Sequence, residues 1–255
     1  MFDRFQPNTL FIGKNTHFLP TCHSTNDIAL QMIQNTSVFE GQVVVTNHQT
    51  AGKGQRGNVW EAEAGQNLTF SIILKPIFLR ADEQFKLNIA VSVGIYQFLS
   101  ALLPEGLSIK WPNDVYFNDK KLGGVLIENS IQANQLSYSV VGIGLNINQI
   151  QFFDKKAISL LKINQYTNHY DLTELLSQLL VSIEQCYLKL KNNEYKSLKE
   201  SYVNKLFRIN TFHIYQQNGR EFIGKIIDVL DSGKLMLEVD GNLELFDMKE
   251  IEFVF

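Results

Sequence analysis

Residues 110–128 read KWPNDVYFNDKKLGGVLIE. Two runs rich in β-branched and aromatic residues, 114–117 and 122–128, flank a polar Asn-Asp-Lys triplet, which is the pattern of a β-hairpin. Pro112 restricts the backbone just ahead of the first run. The sequence therefore predicts that Asp114 lies at the mouth of a hairpin.

The facing strand carries Lys121 beside two consecutive glycines, Gly123 and Gly124, opposite Asn113 and Asp114. Paired glycines in an otherwise apolar strand indicate the close approach of a ligand or of another backbone. A hairpin with a solvated Lys–Asp pair and a glycine bulge would explain the same residues, so this stretch leaves both interpretations open.

Further strands are predicted on both sides of the hairpin, at 107–111 and 136–147. Asp171 is a good N-cap for a helix that ends near residue 190. Apolar runs and helical spacing predict the remaining elements of this part of the chain. They are strands at 10–13, 17–19, 42–46 and 68–74 and helices at 26–35 and 82–103, the last of which Pro104 ends.

From about residue 207 the pattern changes to short strands separated by tight turns such as Asn218-Gly219 and Asp240-Gly241. A meander of this length resembles a small closed barrel. We therefore predict an α+β protein, with a mixed β-sheet flanked by helices over residues 1–204 and a small all-β, SH3-like barrel over residues 205–255. The strands of the barrel are predicted at 212–215, 221–229, 234–239 and 242–248.

The composition excludes several classes of protein. The chain has 255 residues, of which 45% are hydrophobic and 19% charged, which is unlike a disordered, collagen-like or disulfide-rich chain. The net charge of −3 does not favour nucleic acid as a partner. No apolar run reaches the ~18 residues of a membrane span, and no signal peptide is recognisable. Two cysteines without a CxxC pattern predict reduced thiols in the cytoplasm, and the five histidines lack zinc-site spacing.

The segment Gly52-Lys-Gly-Gln-Arg-Gly57 satisfies the G-x-G-x-x-G pattern of dinucleotide-binding folds. A strand follows it instead of a helix, and no acidic residue stands where a ribose ligand is expected, so a nicotinamide-dependent dehydrogenase is disfavoured. A surface loop is one interpretation. An anion-binding loop is the other, because Lys53 and Arg56 stand among glycines whose N–H groups can turn toward a phosphate or carboxylate.

A third segment, residues 141–148, alternates glycines with apolar residues and reads VGIGLNIN. The glycines leave room above a strand, and Asn146 offers both a donor and an acceptor to the edge of a heterocycle. This pattern alone does not identify a ligand.

Taken together and in this order, the segments resemble those of biotin–protein ligases, and the resemblance covers nearly the whole chain. It implies the class II synthetase-like fold of that family and two half-reactions, in which biotin and MgATP give biotinyl-5′-AMP and the acyl group passes to a lysine of a carrier protein. Family members that act as repressors carry a winged-helix domain ahead of the Ser-Thr-Asn element. With 23 residues before Ser24, we expect a ligase without that domain. The shared segments are Ser24–Asn26, Gln49–Trp60, Asn67–Ser71, Lys110–Asp114, Lys121–Gly124 and Gly142–Asn146.

The resemblance also implies roles for individual residues. Lys121, Asp114 and Arg56 are expected to act in catalysis. The expected biotin-binding residues are Ser24, Thr25, Asn26, Gln49, Lys53, Gly54, Gln55, Lys121 and Gly124. The expected ATP-binding residues are Lys53, Arg56, Trp60, Asn113 and Asn146. Mg²⁺ is expected to be held mainly by phosphate oxygens, so that no metal ligand is assigned.

The glycine loop departs from the family pattern at two positions. Many members carry arginine at the second and fourth positions of the loop, where this chain has Lys53 and Gln55. Lysine supplies a point charge without the bidentate fork of a guanidinium. Arg56 is therefore expected to take over part of the phosphate contact.

The resemblance implies a biotin carboxyl carrier domain of a carboxylase as the acceptor, with no nucleic-acid or membrane partner and with homodimer formation left open. Two alternatives stay open. One is a lipoate–protein ligase of related fold, in which the Lys-Trp-Pro-Asn-Asp element occurs in related forms. The other is a binding module without enzymatic activity that uses the small barrel to bind a protein.

Overall fold

The computed structural model describes residues 5–103, 105–165, 168–248 and 250–255, and for Arg56 it describes the backbone alone. Seven strands form the larger sheet: β1 (Thr16–Cys22), β2 (Gln42–Gln49), β3 (Leu68–Leu74), β4 (Leu107–Lys110), β5 (Asp114–Phe117), β6 (Lys120–Gln132) and β7 (Gln135–Leu145). They lie in the order β1-β2-β3-β7-β6-β5-β4. The pair β1–β2 is parallel and the other neighbours are antiparallel, so the sheet is mixed, as predicted.

The strands predicted near the centre of this sheet are confirmed. Strand β3 has the predicted bounds and is buried along its whole length, as its continuous apolar run indicates. The predicted hairpin is β5–β6, although β6 continues four residues beyond the predicted end at Glu128 and stops at Gln132. Strand β2 also runs further than predicted, to Gln49, and so brings the start of the glycine loop to the sheet.

The predicted strand at 10–13 is wrong, whereas the one at 17–19 is confirmed as part of β1. Residues 10–12 form bends instead. The backbone N–H groups of Leu10, Phe11 and Ile12 donate to the carboxylate of Glu184, a buried residue of a distant helix. Because a side chain accepts these hydrogen bonds, the segment does not need a strand partner.

The described residues contain five α-helices: α1 (Thr25–Asn35), α2 (Gln84–Ser100), α3 (Leu160–Ile163), α4 (Leu172–Lys191) and α5 (Tyr195–Asn204). Alternate residues of the strands pack against helices on opposite faces of the sheet. Val44 and Ile73 pack with α1, whereas Val45 and Ile72 belong to the cluster that contains α2 and α4. The sheet is therefore covered on both faces.

The helix predictions hold for α1, α2 and α4. Asp171 caps α4 by accepting from the N–H groups of Thr173 and Glu174. The predicted helix at 82–103 is a 3₁₀ turn at Ala81–Glu83 followed by α2, and Pro104 lies outside the described residues. The sequence analysis missed α3, which has only four residues, and α5, which is short and largely polar.

The C-terminal part forms a second sheet of five strands: β8 (Phe212–Gln217), β9 (Arg220–Val229), β10 (Leu235–Val239), β11 (Asn242–Phe246) and β12 (Glu252–Phe253). Their order is β11-β10-β9-β8-β12, so that the last strand returns to the side of the first, as in an SH3-like barrel. The sequence predicted four of these strands and missed β12, which has only two residues.

The two sheets share one apolar core. Leu87 of α2 and Leu237 of β10 belong to the same cluster of buried side chains. At the junction the indole N–H of Trp111 donates to the carbonyl of Gly233 over 3.0 Å. A Cβ atom on Gly233 would lie 2.7 Å from the ring of Phe85, so the turn between β9 and β10 packs directly on α2. Within the described residues no helix combines the length and the apolarity needed to cross a bilayer.

Candidate active site

A cavity of about 350 Å³ opens where the larger sheet meets the C-terminal sheet. Its lining comes from separate parts of the chain: the start of α1, the end of β2, the glycine loop, β3, residues 110–126 of the β4–β5–β6 region, β7 and the last residues of the chain. Among the lining residues are Ser24, Thr25, Asn26, Gln49, Lys53, Gly54, Gln55, Trp60, Asp114, Lys121 and Gly124. Residues predicted from separate stretches of sequence thus surround one space.

An ion pair between Lys121 and Asp114 lies on the sheet side of the cavity, with 2.8 Å between Nζ and Oδ1. Asp114 of β5 pairs with Gly124 of β6, and a β-bulge then shifts the register so that Lys121 pairs with Tyr116. The lysine side chain reaches Asp114 across Gly124. A Cβ atom at that glycine would lie 2.9 Å from Oδ1 of Asp114 and 3.2 Å from Cε of Lys121, so residue 124 must be small for the pair to form.

The start of α1 contributes a buried polar network to the wall of the cavity. The Gln49 side-chain carbonyl accepts from the backbone N–H of Thr25 over 2.7 Å and from its hydroxyl over 3.1 Å. The Ser71 hydroxyl lies 2.7 Å from the Thr25 hydroxyl and 2.6 Å from Oδ1 of Asn26. The Asn26 amide donates to Glu128. Sequence reasoning missed Glu128 as a member of this network, because only the β6–β7 pairing brings it next to α1.

Gly142 explains how α1 approaches the sheet so closely. A Cβ atom at this position would collide with Oδ1 of Asn26. The alternating glycines of β7 therefore make room for a protein side chain, in addition to any space they leave for a ligand.

The glycine loop is closed by its own backbone. The N–H of Gly54 donates to the carbonyl of Asn58 over 2.7 Å, and the N–H of Trp60 donates to Gly52 over 3.0 Å, with a 3₁₀ turn at Gln55–Gly57 between them. Gly57 has a φ of +82°, which a residue with a side chain rarely adopts. The loop is a small hairpin, and its residues Lys53, Gly54 and Gln55 line the cavity.

Two side chains join this loop to the rest of the site. Nζ of Lys53 lies 2.5 Å from Oδ1 of Asp27 on α1, and this hydrogen bond raises the pKa of the lysine above its ordinary value. Nε2 of Gln55 donates to Oδ1 of Asn113 over 2.9 Å, and the Asn113 amide donates to the carbonyl of Val125. Asp27 was missed by the sequence analysis, although its place three residues after the N-cap Ser24 put it near the site.

Trp60 covers one end of β7. Its indole lies where a Cβ atom on Gly144 would be, and the ammonium of Lys121 is 5.9 Å from the centre of its ring system. The indole N–H is buried and has no hydrogen-bond partner among the described residues. A ligand that offers an acceptor at this point would satisfy it.

Two of the predicted ATP-binding residues lie behind the lining rather than in it. Asn113 is buried and bridges Gln55 to β6. Asn146 is also buried, and its amide donates to the carbonyl of Ile158 over 3.2 Å, while its Oδ1 has no partner in the described part of the chain. Their predicted contacts with the nucleotide stay predictions. The side chain of Arg56 lies outside the described residues.

The comparisons with known proteins agree with this geometry. The family model described as "Biotin/lipoate A/B protein ligase family" matches residues 18–146, just over half of the chain. The chain belongs to this family. The match spans β1 to β7 and so contains the polar network of α1, the glycine loop and the Lys121–Asp114 pair. Membership confirms the resemblance inferred from the sequence.

Curated relatives cover most of this ligase-family chain. It is 27% identical over 253 residues to "Bifunctional ligase/repressor BirA" from Bacillus subtilis, a match that covers 98% of this chain and 77% of the relative. It is 27% identical over 223 residues to "Biotin--[acetyl-CoA-carboxylase] ligase" from Mycobacterium tuberculosis, covering 86% and 81% of the two chains.

A solved structure shows the same architecture. The biotin protein ligase from Aquifex aeolicus in complex with biotin and ATP superposes with a TM-score of 0.78 at 25% identity, covering 94% of this chain and 99% of the other. Because the coverage extends over the C-terminal strands, the likeness includes both sheets. The α+β fold class is confirmed.

Proposed function

We propose that this chain is an ATP-dependent biotin–protein ligase that forms biotinyl-5′-AMP and transfers the biotinyl group to a lysine of a carrier domain. One observation supports the proposal above all others. The Lys121–Asp114 pair, 2.8 Å apart, lies in a cavity that the cationic glycine loop also enters. An adenylating transferase needs a cation for phosphate charge and a carboxylate for the acceptor amine at one reacting centre. The names of the relatives support biotin as the substrate.

The buried polar network around α1 suits the ureido ring of biotin. That ring presents two N–H donors and a carbonyl acceptor. The hydroxyls of Ser24 and Thr25 and the amide of Gln49 offer both kinds of group at the cavity. The Thr25 hydroxyl is bonded to Gln49, and the Ser24 hydroxyl accepts from the backbone N–H of Asp27. Because these hydrogen bonds already hold the side chains, they lose little freedom when the ring binds. Asn26 acts through this network, and Gly54, Gln55 and Gly124 border the same space.

In the first half-reaction the biotin carboxylate oxygen forms a bond to the α-phosphorus of ATP. The bond from that phosphorus to the bridging oxygen breaks, and pyrophosphate leaves with the electron pair. Negative charge on the phosphate oxygens is stabilised by Lys121 and, in the proposal, by Lys53 and Arg56. Losing one such preorganised contact typically costs ~10²–10³ in rate. Trp60 covers the adenine, and Asn113 and Asn146 support the nucleotide.

In the second half-reaction the acceptor amine attacks the acyl carbon, an amide bond forms and AMP leaves. The unperturbed pKa of a lysine is ~10.4, so that under ~0.1% of it is the free amine near neutral pH. Asp114 directs this amine and draws its proton. Its Oδ1 already accepts from Lys121, which leaves the second carboxylate oxygen for the amine.

The carboxylates that line the cavity bear on how a Mg²⁺ ion could be held with the nucleotide. Asp114 and Glu252 line it, and Asp114 is bonded to Lys121. Within the described residues there is no group of three or more His, Cys, Asp or Glu that could hold an ion. This donor set fits Mg²⁺ that keeps phosphate oxygens and waters as most of its ligands, where it would neutralise charge on the nucleotide.

We further propose that residues 1–204 form the catalytic domain and residues 205–255 a smaller domain, with a biotin carboxyl carrier domain as acceptor. The end of α5 at Asn204 supports this boundary, and so does the separation of the strands into two sheets. The shared core means that the smaller domain is not independent of the larger one.

The proposal is tested by incubating the purified chain with biotin, MgATP and an isolated carrier domain and detecting biotinylation with streptavidin. A carrier whose acceptor lysine is replaced by arginine is the control. Biotinylation that depends on biotin, ATP and the acceptor lysine is expected, and its absence would contradict the proposal. The family model also names lipoate ligases. Mass spectrometry of the adenylate formed from equal biotin and lipoate decides between the two acids.

A further inference from the structure

A third lysine of the cavity has no role in the mechanism above. Among the described lining residues, Lys53 comes from the glycine loop, Lys121 from β6 and Lys110 from the end of β4. Lys110 is half-buried. It is the first residue of the Lys-Trp-Pro-Asn-Asp element, in which the sequence analysis assigned functions only to the last two residues.

The strand register places Lys110 beside the reacting centre. Lys110 is the direct partner of Asp114 in the β4–β5 pair, and Asp114 is the partner of Gly124 in the β5–β6 pair. Directly paired residues project from the same face of a sheet. Lys110 and Lys121 therefore stand on the two strands on either side of Asp114 and face the same cavity.

Two aromatic rings lie beside the Lys110 ammonium. Nζ is 4.6 Å from the ring centre of Phe253 and 5.5 Å from that of Tyr116, both within the range of a cation–π interaction. Burial raises the pKa of Tyr116 well above its ordinary value, so its ring stays neutral at physiological pH. Phe253 belongs to β12, where it pairs with Tyr215 and packs against its ring at 5.2 Å. The C-terminal sheet thus positions a cation of the cavity.

The order of strands indicates the side of the phosphorus on which the leaving group departs. The proposed biotin site lies at β3 and β7, where Ser71 and Gly142 contact α1, and the Lys121–Asp114 pair lies on β6 and β5. In phosphoryl transfer the attacking and leaving oxygens lie roughly in line on opposite sides of phosphorus. A carboxylate that arrives from the β7 side therefore expels its leaving group toward β4, where Lys110 stands.

We infer that Lys110, positioned by Phe253, binds the β- and γ-phosphates that leave as pyrophosphate. The inference rests on the proposed function. It gives the C-terminal strand a part in the first half-reaction. A residue that touches only the leaving group affects adenylation and pyrophosphate binding, whereas it does not affect transfer from an adenylate that has already formed.

The test separates the half-reactions in Lys110→Met. We expect kcat/KM for ATP in biotin-dependent ATP–pyrophosphate exchange to fall about 10- to 100-fold, since one preorganised contact to developing charge is lost. Inhibition by added pyrophosphate should weaken by about tenfold. The rate of transfer from supplied biotinyl-5′-AMP should stay within about twofold of the wild type. An equal loss in both half-reactions, or no change in either, would overturn the inference.

Phe253 is tested as the positioning residue. Phe253→Leu should show the same pattern as Lys110→Met, with an effect of about three- to tenfold. Phe253→Trp keeps a ring face and should therefore retain the ATP kinetics of the wild type. Lys225 and Phe212 of the C-terminal sheet form a matched control, because Lys225 Nζ is 5.0 Å from the Phe212 ring and neither residue lines the cavity. Lys225→Met and Phe212→Leu should leave ATP kinetics unchanged. A loss of the same size in these controls would show a purely structural effect.

Two further comparisons keep the test decisive. If Lys110→Met does not fold, Phe253→Leu carries the same prediction, whereas Lys110→Arg, which retains the charge, should keep most of the ATP kinetics of the wild type. Failure of the proposed function is distinguishable, because the wild-type chain would then form no biotinyl-adenylate at all. A wild type that is active and a Lys110→Met variant with equal ATP kinetics would refute this inference alone.

Discussion

The hairpin β5–β6 and the glycine loop at residues 52–60 meet at one cavity and are held in opposite ways. In the hairpin, backbone pairing with β4 and β7 sets the positions of Asp114 and Gly124, and Val115 and Leu122 are buried between them. The glycine loop pairs mainly with itself. Its connections to the rest of the site are side-chain contacts, from Lys53 to Asp27 and from Gln55 to Asn113.

This difference separates a fixed part of the site from a part that can open. Displacing Asp114 or Lys121 would require the sheet to rearrange, at the cost of buried apolar contacts and ladder hydrogen bonds. Lys53 is half-exposed, with 49% of its side-chain surface accessible, and exposed ion pairs typically contribute only ~0–1 kcal/mol. We therefore expect substitutions in the hairpin to act on chemistry and substitutions at the loop contacts to act on opening.

The largest effect is expected at Lys121. Lys121→Ala should abolish measurable adenylation, a loss of about 10²–10³ or more, because it removes the ammonium that we propose stabilises phosphate charge. Biotin-dependent ATP–pyrophosphate exchange measures it. Lys120→Ala is the matched control, since Lys120 is the exposed neighbour on the same strand. Retention of exchange in Lys121→Ala would show that the Lys121–Asp114 pair does not act at the reacting centre.

Asp114→Ala should separate the two half-reactions. We expect transfer to the carrier to fall about 10²-fold and adenylation to fall only about tenfold, because in the proposed mechanism Asp114 directs the acceptor amine whereas Lys121 stabilises phosphate charge. Single-turnover assays of each step measure the two rates. Equal losses in the two steps would mean that the assignment of this carboxylate is wrong.

Gly144→Ala tests the junction between the sheet and the end of the loop. A methyl group there would meet the Trp60 indole and displace it. We expect KM for ATP to rise about tenfold with a smaller change in kcat, which would indicate lost nucleotide binding. The same change made in Trp60→Ala is the control. A full effect of Gly144→Ala in that background would show that the indole is not the cause.

The smallest effect is expected at Asp27. Asp27→Asn should accelerate proteolytic cleavage within residues 50–58 about threefold in the absence of ligand, because the loop then opens more often. Biotin plus ATP should protect the loop in both proteins. Equal cleavage rates with and without ligands in the wild type would contradict the view that this loop opens and closes.

The same assay has a defined pH dependence. The hydrogen bond from Asp27 raises the pKa of Lys53 above its ordinary value. The ion pair is therefore fully present below the unfolded-state pKa and is lost as the pH rises through the raised value. Protection by Asp27 should persist through neutral pH and disappear only in this alkaline range. Its loss near pH 7 would show that another group controls the loop.

Much of the fold could be predicted from the sequence, because local patterns determine it. The apolar run of β3, the Asp171 cap of α4 and the polar turn between β5 and β6 each depend on neighbours within a few residues. Elements with weak local patterns were missed for the same reason. Helix α5 has few apolar residues and buries only Leu198 and Tyr202, so no apolar stretch of sequence marks it.

Part of the lining of the cavity could also be predicted from the sequence, since Lys121, Asp114, Gly124 and the glycine loop stand in recognisable order. Only the tertiary structure decided which of their neighbours matter. Glu184 binds the N–H groups of residues 10–12 over more than 170 positions of sequence, and Lys110 meets Phe253 from the other sheet. These contacts join residues that are distant in sequence, and they form only when sheets and helices pack. No periodicity or spacing within one segment encodes them.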